Sequence, residues 1–83
     1  MIFLKEPDAP PRIDRPALSD TFGLTRRECE IVCHLAEGMG VDGIAGHLGL
    51  RVGTVRQNLK SAYEKTQVHN QAALVALALS LAR

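Results

Sequence analysis

From Leu24 to Leu81 the apolar positions recur at intervals of three and four, the spacing of one face of an α-helix, in four groups parted by glycine, asparagine or short polar turns. In the third group Val52, Val55, Leu59, Ala62 and Thr66 fall on one side with Tyr63 flanking, and Gly53, Gln57, Lys60 and Glu64 fall on the other. This predicts an amphipathic helix over about Val52–Lys65. The first group opens at Thr25, with Glu28 three positions on in the capping-box pattern, and closes at Gly38. Ile31, Val32, Leu35 and Ala36 form its core stripe, with Cys29 at the edge and Cys33 farther round. Val41–Leu48 reads as a short second helix, stopped at Gly49 by a left-handed residue. Asn70 is the expected N-cap of a last helix to about Leu81.

That last helix carries two apolar stripes. Leu74, Ala78 and Leu81, with Leu77 beside them, line one side, and Ala72, Val75, Leu79 and Ala82 line another. One stripe is enough to seat a surface helix on a small domain, so the second points to a partner surface or to burial elsewhere. The start of the chain has a different character. Ile2, Phe3 and Leu4 are β-prone but have nothing to pair with, and Pro7, Pro10, Pro11 and Pro16 then rule out a helix and predict an extended linker over residues 1–21.

Eighty-three residues allow one small domain. The net charge of +1 conceals an asymmetry: residues 1–47 hold five Lys or Arg against eight Asp or Glu, and residues 48–83 hold five against one. The positive field therefore sits with the third helix and favours a polyanionic partner there. No apolar stretch of secretory length follows Met1, and the longest apolar run, the eight residues Ala72–Leu79, is too short to span a bilayer. A soluble cytoplasmic protein is expected.

A short helix, a glycine stop and a second helix within a few residues form a helix-turn-helix, in which the first helix braces the second for entry into the major groove. The outward side of that second helix, with Thr54, Arg56, Gln57, Asn58, Lys60 and Lys65, offers donors for base edges and phosphates. Leu24-Thr25-x-Arg27-Glu28-x-Glu30, Ala36-x-Gly38, Ile44-Ala45-x-x-Leu48-Gly49-Leu50, Thr54-Val55-Arg56, Lys65, Val68 and Ala72 resemble, in residues and spacing, the LuxR or GerE-type helix-turn-helix domain of bacterial transcription regulators. A related module occurs in sigma factors.

The resemblance implies an all-α, four-helix domain over residues 22–83 that acts as the DNA-binding effector of a regulator. It implies residues 1–21 as a linker or remnant of a preceding sensor domain. It also implies that Arg56, Gln57 and Lys60 meet base edges, that Arg51, Thr54, Asn58, Ser61 and Lys65 hold phosphates, and that the last helix, through Ala72, Val75, Leu79 and Ala82, joins a homodimer on double-stranded DNA. The chain departs from the family at Gly40, at Asp42, where a polar and often basic residue is usual, and at Arg51, where serine usually caps the recognition helix. Arginine cannot accept the orphan amide hydrogen bonds, so this helix start is either poorly capped but tolerated or offset by a contact from Arg51 to a phosphate.

Other chemistries are poorly served. Cys29 and Cys33, beside His34, lack a second pair at metal-ligand spacing, and His47 and His69 stand alone, so no metal or other cofactor is expected. Gly38-Met39-Gly40-Val41-Asp42-Gly43 matches the dinucleotide fingerprint by letter, but a helix rather than a strand precedes it. The carboxylates read as solvated and no nucleophile adjoins a base, which argues against an enzyme. The alternative to a DNA reader is a helical protein-interaction module that has kept the fold.

Overall fold

A computed structural model describes residues 13–81 as five α-helices: α1 Arg15–Phe22, α2 Arg26–Ala36, α3 Val41–Leu48, α4 Val52–Thr66 and α5 Gln71–Ser80. The four expected helices are α2 to α5. The orphan apolar tripeptide Ile2–Leu4 and Ala82 lie outside the described residues.

α1 corrects the sequence reading, which excluded a helix from this stretch. Pro16 sits in the first turn, where its missing N–H would have no partner in any case and its fixed φ suits the helix. Asp14 caps that turn, its Oδ1 accepting from the Ala17 amide at 3.1 Å. Gly23 ends the helix in the left-handed region, and the Ser19 hydroxyl donates to the Leu24 carbonyl at 3.0 Å. Leu18 is thereby carried into the core.

α2 is the hub and packs against each of the other four helices, while α3 packs on α4. The predicted capping box is present: the Thr25 hydroxyl accepts from the Glu28 amide at 3.1 Å, and Glu28 Oε1 accepts from the Thr25 amide at 2.8 Å. Ile31, Val32 and Leu35 are buried with Leu18, Leu24, Ile44, Val55, Leu59, Leu74 and Ala78 in one core. Each valine, leucine or isoleucine side chain among them contributes about 1.5–3 kcal/mol when fully buried. Cys29, expected at the edge of the stripe, and Cys33, expected farther round, are also buried, and the Cys29 thiol donates to the Arg15 carbonyl of α1.

The turn between α3 and α4 is held by main-chain groups. Gly49 adopts φ 69° and donates to the Ala45 carbonyl, and the Leu50 amide reaches the same carbonyl at 2.8 Å. This paired closure absorbs the end of α3 and turns the chain sharply. Arg51 then stands extended as the N-cap of α4, with no side-chain cap, and its carbonyl receives the Val55 amide at 3.1 Å.

Candidate nucleic-acid interface

α4 is seated by Val55, Leu59, Ala62 and Thr66, which are buried, with Val52 and Tyr63 partly buried against the same core. This is the inner face the periodicity predicts. Its opposite face carries Gly53, Gln57, Lys60 and Glu64, all exposed, and Arg51, Thr54 and Arg56 are exposed beside them. Among the described residues no acidic group pairs with Arg51, Arg56 or Lys60, whereas Arg27 lies 3.4 Å from Glu30. Three cations are thus presented around the first half of α4, and Glu64 is the one acidic residue on this helix.

The remaining residues expected at phosphates are differently placed. Asn58 is half-buried and its Nδ2 donates back to the Thr54 carbonyl at 2.9 Å, which pins the amide along the helix. Lys65 turns toward α2, and its Nζ donates to Glu28 Oε1 at 2.8 Å. Ser61, half-buried one turn earlier, also favours the charged form of the Glu28 carboxyl.

Glu28 corrects the expectation of solvated carboxylates, for it is only 4% exposed. Burial alone pushes its carboxyl up. The Lys65 ammonium, the Ser61 hydroxyl and the Thr25 amide together outweigh that burial and hold Glu28 below the ordinary carboxylate value. The sequence signalled only the capping part of this residue, since its partner in α4 lies 37 positions away. The contact links the end of α4 to the start of α2, beside the buried face that seats the helix.

His47 was expected to stand alone. Its ring meets that of His34 edge-on, centroids 4.7 Å apart, where α3 packs on α2, and His34 Nδ1 is 3.1 Å from Glu37 Oε1. Among the described residues no three His, Cys, Asp or Glu side chains are grouped to hold a metal ion. The glycine-rich stretch from Gly38 connects two helices, so its amides do not form the strand-to-helix cradle of a dinucleotide site.

On α5, Leu74 and Ala78 face the core. Ala72 is exposed, Val75 packs partly against the core, and Leu79, at 37%, is the exposed large hydrophobic side chain among the described residues. No helix among the described residues is long and apolar enough to cross a membrane.

Residues 23–78 match the family described as "Bacterial regulatory proteins, luxR family". Over 60 residues the chain is 42% identical to the "Probable transcriptional regulatory protein SgaR" of Hyphomicrobium methylovorum, a stretch that covers 72% of this chain and 28% of that protein. The chain thus spans little more than a quarter of the relative's length. No solved structure matches it. The matched region takes in all of α2 to α4 and most of α5, including the helix-turn-helix, and on this ground the chain belongs to the LuxR family of DNA-binding bacterial transcription regulators.

Proposed function

We propose that this chain binds duplex DNA sequence-specifically by laying α4 in the major groove, and that it does so as a homodimer joined through α5. The observation that carries the reading is the outer face of α4, where Arg51, Arg56 and Lys60 are exposed without acidic partners on a helix held rigidly from behind. Arg56, Gln57 and Lys60 are assigned to base edges. Arg51 and Thr54, at the start of α4, are assigned to phosphates, where the helix N-terminus also favours an anion. Asn58 lies at the shoulder of the helix and contributes through its free carbonyl side or through water.

Ser61 and Lys65 are assigned to bracing α4 through Glu28 in place of the phosphate contacts that the family resemblance implies. The dimer reading draws on Ala72 and Leu79, exposed on α5, with Val75, partly packed against the core, between them. Two copies double the phosphate contacts on half-sites about one helical turn apart.

A titration of random duplex at two salt concentrations tests the reading. Each phosphate contact adds about 0.9 to the slope of log affinity against log salt. Arg51→Ala is expected to flatten that slope by about one contact, and Lys60→Ala to cost about 1–3 kcal/mol on a preferred site with much less effect on random DNA. Binding that ignores salt, or no binding to duplex at all, would point to a protein-docking module.

A further inference from the structure

Gln57 occupies a distinctive place on α4. At about 100° per residue it lies roughly 170° from the mean direction of the buried Val55, Leu59, Ala62 and Thr66, so it stands at the crest of the helix, farthest from the domain. Side chains on a helix lean toward its N-terminus and cover the preceding turn. The residue one turn before is Gly53, which presents no side chain, and a Cβ added there would meet nothing within 4 Å. The Gln57 amide therefore has open space over the preceding turn, and it is exposed and unpartnered among the described residues, with Arg56 and Lys60 exposed on the same helix.

The chemistry of the three residues differs. Arg56 and Lys60 only donate, which suits the O6 and N7 acceptors of guanine. Gln57 carries one donor and one acceptor group side by side, and in the major groove the single base edge that offers an acceptor beside a donor is adenine, through N7 and N6. We propose that Gln57 is the specificity-determining residue for one adenine in the recognised site, read by a bidentate contact and flanked within about two base pairs by guanines read from Arg56 and Lys60. This rests on the DNA-binding reading above and deepens it.

The test is selection of binding sites from a random duplex library with the wild-type chain and with Gln57→Ala, a change that keeps a good helix former at an exposed position. The wild type is expected to select a site with one A·T pair whose replacement by G·C costs roughly tenfold to a hundredfold in affinity. Gln57→Ala is expected to lose discrimination at that pair alone. Duplexes with 7-deazaadenine there, which lacks the acceptor, or purine, which lacks the amino donor, should weaken the wild type and leave Gln57→Ala indifferent. The proposal is overturned if Gln57→Ala keeps the wild-type preference at every position, if the position it relaxes is not adenine, or if the wild type binds random duplex but selects no site. Failure of the wild type to bind any duplex would instead overturn the DNA-binding reading itself.

Discussion

The Lys65 ammonium donates to Glu28 Oε1 across 2.8 Å, and so ties the last turn of α4 to the first turn of α2. Because Glu28 is held below its ordinary value of 4.5, the native state binds fewer protons here than the unfolded chain as the pH approaches that value. The stabilisation is complete above the unfolded-state pKa and is lost as pH falls through the lower native one. Denaturant unfolding of the wild type at neutral pH and at about pH 3 should therefore show a larger loss than the same pair of measurements on Glu28→Gln, which cannot ionise. A Glu28→Gln and Lys65→Met cycle should give a coupling of about 0.5–3 kcal/mol. The low end is expected, because the Lys65 side chain is 33% exposed and solvent screens the pair.

Gln67, the C-cap of α4, is held at φ 59°, and both its amide and that of Val68 return to the Tyr63 carbonyl. A left-handed conformation costs a residue with a Cβ about 1–2 kcal/mol that glycine does not incur. Glycine gives back part of this through its freer unfolded chain. Gln67→Gly should raise stability by about 0.5–1 kcal/mol, read as a higher denaturant midpoint with an unchanged slope.

Cys29 and Cys33 are 3% and 7% exposed, and burial pushes the Cys29 thiol up from its ordinary value. The thiolate is the reactive form and must be reached by the reagent, so Cys29 meets neither requirement in the native fold and Cys33 is shielded by burial. Labelling by a thiol reagent at neutral pH should be slow in buffer and fast in urea. Fast native labelling would show that α1, whose Arg15 carbonyl accepts from the Cys29 thiol, opens readily.

Leu79 is the position at which to test self-association, since Val75 also packs against the core and its replacement would confound the result. Leu79→Glu should leave cooperative unfolding intact within about 0.5 kcal/mol, as for a surface change. Sedimentation with a palindromic duplex should then show one chain bound where the wild type shows two. Two glutamate chains bound as tightly as wild type would place the dimer contact elsewhere.

The helices α2 to α5 were legible because their signals are local. Thr25 with Glu28, the Gly49 stop, Asn70 and the spacing of Val55, Leu59 and Ala62 each act within a turn or two of chain. α1 is hidden in the sequence because proline breaks a helix everywhere but in its first turn, and Pro16 stands in that turn. The exposed face of α4 followed from periodicity, but the separation of Lys65 from Arg51, Arg56 and Lys60 did not. A lysine reads the same in sequence whether it meets solvent or a buried carboxylate contributed by another helix.

α1 itself gives a further measurement. Leu18 is 1% exposed in the core that seats α2, so Leu18→Ala should cost about 2–5 kcal/mol and lower the unfolding midpoint of the entire domain in a single transition. An early, separate loss of helix signal would mean that α1 unfolds by itself.

The turn from α3 into α4 is closed by the Gly49 and Leu50 amides on one carbonyl, with no side chain taking part in the cap. Orientation of the reading helix and chemistry at its first position are thereby decoupled. A hydroxyl, a cation or a neutral group can stand at position 51 without re-aiming the helix behind it. On the proposed DNA-binding reading, affinity for the phosphate backbone is then tunable at one site on the rim of the groove, while the choice of bases stays with residues one turn farther in.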